Sequence, residues 1–357
     1  MKSHIVIVSE ESVYARHYKC GVGEVVDTMA DRLRDFYDVT VITIGRRASG
    51  GTGRLMCLGV EGDEFYIEAA KLVNQIQPDL VHNFGRPDFI ELLKVDCPKV
   101  LSFDRWEDSI AGQLEYVRKY DHVVTLSSEY ANEMIAEHPE AAQWPLKGII
   151  NGIDGVLYSP VEDKARSRAK YYSQAGREDE GKKLIVYMGR LKEVKGIQDI
   201  IDSAEQIRSA GVDLVVYGTG DVDLMTRLVE LHEDGILTYN PYMIDYLGMC
   251  EVIHAADFYL YPSLHEVCGL QPMKAAHMGC VPIVRPVGGM KQNFSEETAV
   301  LITDTVAEAV LRAVALSDEE YTAIQEKCMA EDWTWETRIR PWIELYGLSS
   351  ESDVGGE

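Results

Sequence analysis

The chain has 357 residues, 46% of them hydrophobic and 26% charged, with 59 acidic against 35 basic side chains and a net charge of −24. That length suggests about two domains with ample core, and the composition excludes a globally disordered chain. The acidity excludes unassisted binding to nucleic acid or anionic lipid, so any phosphate site must be a local concentration of positive charge.

The first strand signal, His4–Ser9, ends at Glu10 after five uncharged residues, which is too short for the apolar region of a signal peptide. No apolar run of roughly 18 residues follows, so no membrane insertion is expected. Seven cysteines, at 20, 57, 97, 250, 268, 280 and 328, form no CxxC pair. They predict neither a disulfide framework nor a zinc site, and they suit a reducing, cytoplasmic setting.

Further β-rich runs follow at Val39–Ile44, Asp79–Phe84, Lys99–Asp104, His122–Ser127 and Gly148–Ile153. They are nearly continuous in Val, Ile and Leu, as expected of strands covered on both faces. Between them, Gly23–Phe36 and Phe65–Ile76 carry helical periodicity. Arg46–Arg54, with its Gly, Ser and Arg residues, reads as a mobile loop. The polar stretch Tyr158–Lys183 breaks the rhythm and reads as a crossing between domains with one helix in it. Strands resume at Leu184–Gly189, Val212–Gly218, Ile236–Tyr239, Asp257–Pro262 and Val281–Arg285, with Ala299–Thr303 as a last one. Trp333–Tyr346 reads as a final helical region anchored by its aromatic residues, and Glu351–Glu357 as a frayed tail.

Alternation of this kind predicts an α/β chain with two Rossmann-like, doubly wound halves facing each other across an interdomain cleft. The expected divisions are 1–157, 158–330 and a C-terminal helix and tail over 331–357 that packs back on the first domain. Ligands of open parallel sheets bind beyond the carboxyl ends of the strands, so residues just after strands are the candidates.

Gly189-Arg190-Leu191-Lys192-Glu193-Val194-Lys195-Gly196 follows the first strand of the second half. Arg190 and Lys195 can converge there on an anion, although a solvated basic loop explains them equally well. Ser263-Leu264-His265-Glu266-Val267-Cys268-Gly269-Leu270-Gln271-Pro272 also follows a strand. A capping box from Ser263 to Glu266 would place Pro272 beyond the first helical turn, so the helix is expected from about Gln271 or Pro272 to Met278. Glu266 is then left in a tight loop, and Gly269 and Leu270 offer backbone donors to a diphosphate. Gly21-Val22-Gly23 after the first strand is half of a GxGxxG pattern and would let backbone approach a ligand. Gly218-Thr219-Gly220 and Gly288-Gly289 read as structural turns, and Asp221-Val222-Asp223 as a helix start rather than a metal site. Tyr242 and Tyr246 are candidates for stacking on a base, with core packing as the alternative.

Together these stretches resemble the glycogen and starch synthases and, more broadly, retaining glycosyltransferases of the GT-B fold. Further matching segments are Lys19-Cys20-Gly21, Thr125–Glu133, Gly148-Ile149-Ile150-Asn151-Gly152-Ile153-Asp154 and Pro262–Leu270. The resemblance implies that Arg190 and Lys195 neutralise a donor diphosphate and that Glu266 holds the transferred sugar or a ribose. It assigns Cys268, Gly269, Leu270 and Gln271 to phosphate or sugar hydroxyls, and Lys19, Gly21 and Gly23 to the same diphosphate from the first domain. No metal and no cofactor are implied, only a nucleotide sugar such as ADP-glucose or UDP-glucose and a saccharide or glucan acceptor. His82, Asp104 and Arg105 fall on the acceptor side, with Phe84 and Asp104 where relatives often carry His and Lys274 where many carry a second Glu. The implied reaction is metal-independent hexosyl transfer with retention. The alternatives are a non-catalytic nucleotide-sugar or glycan-binding protein, or a GT-B-fold epimerase or phosphorylase. No pattern specifies an oligomer.

Overall fold

The structure, a computed structural model, describes residues 2–11, 21–45, 54–103, 113–242 and 245–347. The chain divides into one unit of Met1–Asp154 with Thr334–Glu357, and a second of Gly155–Trp333. The crossings at 154/155 and 333/334 each lie three residues from the divisions read from sequence.

The first unit is built on seven parallel strands in the order β3-β2-β1-β4-β5-β6-β7. They are β1 (His4–Ser9), β2 (Asp38–Ile44), β3 (Arg54–Leu58), β4 (Leu80–Phe84), β5 (Lys99–Ser102), β6 (His122–Thr125) and β7 (Leu146–Gly148). Ile5 to Val8 are wholly buried, which is why β1 reads as an unbroken apolar run. The helix Gly21–Leu33 covers the sheet with Val25, Val26, Met29, Ala30 and Leu33. The helix begins two residues before the expected Gly23, so Gly21-Val22-Gly23 forms its first turn.

Two strand expectations are corrected. An edge strand that was not predicted, β3, begins at Arg54, the last residue of the loop expected over Arg46–Arg54; its short apolar run Leu55–Leu58 is only half-buried, and 46–53 lie outside the described residues. The last strand is Leu146–Gly148 rather than Gly148–Ile153. Past Gly148 the chain leaves the sheet: a Cβ at Gly152 would come within 2.7 Å of Trp335 N. Ile153 makes a single parallel bridge to Thr334, and Arg338 Nη1 donates to Asn151 O at 3.1 Å. The segment Gly148–Ile153 thus holds the returning C-terminal chain rather than extending the sheet.

The second unit carries six parallel strands in the order β10-β9-β8-β11-β12-β13. They are β8 (Leu184–Met188), β9 (Asp213–Tyr217), β10 (Thr238–Asn240), β11 (Phe258–Tyr261), β12 (Val281–Val284) and β13 (Val300–Leu301). Strands β8 and β11 are adjacent although β9 and β10 intervene in sequence, so the strand order reverses between them. That switch point opens a crevice at the carboxyl ends of the two strands. Gly218 and Gly220 let the chain run beside Leu191, since a Cβ on either would meet backbone oxygen, and Leu191 N donates to Thr219 O at 2.9 Å.

The expected crossing contains the helix Lys164–Gln174, capped by Asp163. Arg168 fastens it to the sheet through Asp257 at 2.9 Å and to its own loop through Asp179 at 2.7 Å. The late aromatic cluster is divided. Trp333 stacks on Phe294 in the second unit, whereas Trp335, Trp342 and Tyr346 belong to the first. The tail 351–357 lies outside the described residues.

Candidate functional site

The residues after β8 and β11 meet at the switch point of the second sheet. After β8, Glu193–Lys195 form a short 3-10 turn that ends at Gly196 with φ 71, in the left-handed region. A side chain at Gly196 would strike Pro262 O, so glycine is required both by conformation and by contact. Leu264 N donates to Val194 O at 2.9 Å and Ser263 Oγ to the same oxygen at 3.2 Å. These bonds use Ser263 outside any capping box, as the position of Pro272 led us to expect, and place Lys195 opposite Glu266.

Lys195 Nζ lies 2.6 Å from Glu266 Oε2, with side chains only 12% and 14% exposed. Tyr261, the last residue of β11, donates its hydroxyl hydrogen to the same carboxylate oxygen at 2.7 Å. Lys195 Nζ in turn donates to Tyr261 Oη at 3.3 Å, closing a triangle of three polar side chains. Burial pushes the Glu266 carboxyl up, but the Lys195 charge and the hydrogen bonds from Lys195, Tyr261 and the Gly269 backbone outweigh it and hold it below its usual range. Glu266 therefore stays ionised in a site that would neutralise an unpaired carboxylate. Tyr261 was not legible as a site residue, because a tyrosine in an apolar strand is ordinary β-sheet sequence.

The loop after Glu266 feeds the helix Leu270–His277, which starts within two residues of the expected position and is followed by Gly279 with φ +80. Gly269 caps it in the left-handed region, with φ 81 and ψ 47, and a Cβ there would collide with Met290 Sδ. Leu270 and Gln271 supply first-turn N–H groups that have no intrahelical acceptor. Gln271 Oε1 is buried without a hydrogen-bond partner, while Cys268 O accepts from Asn293 Nδ2 at 2.6 Å. Gly289 N donates to Glu266 O at 3.0 Å, and Arg285 Nε donates to Pro262 O at 3.3 Å, bracing the loop from β12. Arg190 stands exposed on the same β8 loop, and no described carboxylate pairs with it. A carboxylate, two cations and a helix N-terminus at one strand edge can bind an anion with a hydroxyl-bearing group beside it.

The remaining predicted residues are dispersed. Tyr242 is 52% exposed and packs edge-on against Tyr217, with ring centroids 5.9 Å apart. Tyr246 packs edge-on against Tyr158, and the buried Lys274 ammonium lies 4.7 Å from the Tyr158 ring centre and 5.7 Å from that of Tyr246. Asp221 is the N-cap residue of the helix Val222–Glu233 and Asp223 lies in its first turn. Among the described residues, no group of three or more His, Cys, Asp or Glu is placed to hold a metal.

In the first unit, Gly23 is buried and Gly21 exposed at the start of their helix, whereas Lys19, Asp104 and Arg105 lie outside the described residues. His82, expected on the acceptor side, is corrected to a core residue. It is wholly buried, with Nδ1 2.9 Å from Tyr346 Oη and Nε2 2.7 Å from Ser102 Oγ. Phe84 and Trp342 pack against its ring at 4.3 and 5.3 Å, and burial lowers its pKa to about 3. An imidazole on β4 with both nitrogens occupied fastens the Arg340–Tyr346 helix to the sheet.

Residues 182–316 match the family model for glycosyl transferases group 1. A glycogen synthase of Flavobacterium johnsoniae is 27% identical over 286 residues, covering 70% of this chain and 60% of the relative; the chain thus spans about 60% of that length. The catalytic domain of Arabidopsis thaliana starch synthase IV, solved with ADP and acarbose, superposes with a TM-score of 0.79 at 17% identity, over 97% of this chain and 99% of that one. Anabaena HepE, solved with UDP and glucose, superposes at 0.78 and 14% identity over 97% and 99%. Residues 182–316 thus match a glycosyl transferases group 1 domain, the fold is GT-B, and the chain is similar to the glycogen synthases.

Proposed function

We propose that this protein is a retaining glycosyltransferase. It moves glucose from ADP-glucose or UDP-glucose to a hydroxyl of a saccharide or glucan, without a metal or other cofactor. The observation that carries the reading is the Lys195–Glu266–Tyr261 triangle beside the first turn of Leu270–His277, at the switch point of the matched domain. The relatives support the substrate class: one neighbour was solved with ADP and acarbose, another with UDP and glucose.

In this reading Lys195 and Arg190 take the charge of the nucleoside diphosphate, aided by the N–H groups of Leu270 and Gln271. Glu266 accepts hydrogen bonds from hydroxyls of the transferred sugar. The bond from the anomeric carbon to the phosphate oxygen breaks and the acceptor oxygen forms its bond on the same face. The acceptor proton passes to the departing phosphate oxygen. That route uses no protein nucleophile and needs positive charge on the leaving group, which the site's cations supply. We place this work in a reducing cytoplasm, the setting that seven cysteines without a CxxC pair suit.

The test is a thermal-shift screen with ADP, UDP, GDP and their glucose adducts, because a ligand bound only by the folded state raises its melting temperature. A shift with one base, followed by an α-linked product in proton NMR when a glucan acceptor is added, is expected. No shift with any nucleotide, or a product of inverted anomeric configuration, would overturn the proposal.

A further inference from the structure

A lysine ammonium has three donors. In Lys195 one goes to Glu266 Oε2 at 2.6 Å and a second to Tyr261 Oη at 3.3 Å, while the ammonium also sits 5.5 Å from the centre of the Tyr261 ring. Tyr261 spends its own hydrogen on the same Glu266 oxygen, and at 7% exposure it cannot swing away to solvent. Its ring is further fixed by stacking on Tyr259, 6.3 Å away, whose hydroxyl donates to Met188 O at the end of β8. Two donors of the ammonium are therefore committed within the triangle, and its rotation about the last C–N bond is set. One N–H is left, on a cation 12% exposed at the mouth of the switch-point crevice.

We propose that Tyr261 is a positioning residue for anion binding: it aims the third N–H of Lys195 at a ligand phosphate and keeps Glu266 in place while that phosphate approaches. The inference rests on the proposed function and adds a residue to it. An arriving diphosphate draws the ammonium toward itself and repels the carboxylate. With the Tyr261 hydroxyl present, Glu266 keeps a strong donor and stays ionised. Without it, Glu266 is left with Lys195 and the Gly269 N–H, so the lysine is shared less readily and the carboxylate takes up a proton as the anion binds.

The variant is Tyr261→Phe, which keeps the ring and removes one oxygen. Calorimetry with ADP, UDP or GDP, whichever binds the parent chain, should show affinity about tenfold weaker, or ~1.4 kcal/mol. Titration at pH 6 in two buffers of different ionisation enthalpy should show extra proton uptake in the variant. A protein that merely lost packing would weaken without that uptake. Adding Tyr261→Phe to Glu266→Gln should cost less than Tyr261→Phe costs the parent chain, because the oxygen to which the hydroxyl donates no longer carries charge and only the Lys195 contact is left to lose; this cycle is read against Glu266→Gln and holds even where the single variant is less stable. Unchanged affinity and proton linkage in Tyr261→Phe, or full additivity in the cycle, would overturn this inference and leave the function standing. A parent chain that binds none of the three nucleotides would overturn both.

Discussion

Glu266, in the loop that follows β11, and His82, in the middle of β4, are both largely buried ionisable side chains, and they end in opposite states. Glu266 lies beside a cation and two further donors and keeps its charge; His82 has only neutral partners and loses its own, with its pKa down at about 3. Burial by itself therefore does not mark a working site. What separates the two is whether the surroundings supply a counter-charge, because desolvation penalises the charged form everywhere and only a paired group survives it. The second unit spends a lysine, a tyrosine and a left-handed glycine on holding one carboxylate ionised. The first unit spends a histidine, a serine and a tyrosine on closing its core.

The comparison can be broken most severely at Lys195. Lys195→Ala leaves Glu266 buried without its cation, which is the situation of His82. Transfer should fall by at least about 100-fold, the usual cost of removing one charge-stabilising group. Stability should drop by about 3–5 kcal/mol, as for other buried pairs that lose one member. Initial rates and urea midpoints measure the two, and a variant of undiminished rate would remove Lys195 from the site.

Gly269→Ala attacks the backbone that serves Glu266. The left-handed conformation costs a non-glycine residue about 1–2 kcal/mol, and the new Cβ must also displace Met290 Sδ. The N–H groups of Leu270 and Gln271 shift with it, so nucleotide affinity should fall by about tenfold. Calorimetry checks this; retained affinity would mean that the helix start does not touch the anion.

His82 gives the smallest effect, one confined to acid. Its folded pKa lies below that of the unfolded chain, so the unfolded state binds protons first. Its contribution to stability is complete above roughly pH 6.5 and is lost as pH falls toward about 3. In His82→Gln the difference in urea midpoint between pH 7 and pH 4 should shrink. An unaltered difference would show that another group carries the acid sensitivity.

Much of this architecture was written locally. Ile5 to Val8 lie wholly buried in a central strand, and such strands announce themselves by unbroken apolar residues. Edge strand β3, whose apolar part is only Leu55 to Leu58 and holds no fully buried residue, gave too short a signal and was not predicted beyond the loop that ends at Arg54. Glu266 and Lys195 were legible because a glycine-rich strand-to-helix turn restricts where charged side chains can go. Tyr261 was not, since nothing distinguishes it along the chain from Tyr259 two residues earlier. The fates of His82 and the tryptophans were equally hidden: residue 82 meets Tyr346 across 264 positions of sequence.

The amino-acid sequence by itself determined the alternation of strands and helices, the left-handed glycines at the turns and the charged residues that gather after β8 and β11, because these follow from periodicity and backbone sterics. The tertiary structure decided which polar groups face one another. It put the Tyr261 hydroxyl and the Lys195 ammonium on one oxygen of Glu266, and it enclosed His82 between Ser102 and Tyr346. Charge state in a protein interior depends on neighbours within a few ångströms, and those neighbours are chosen by strand order rather than by position along the chain.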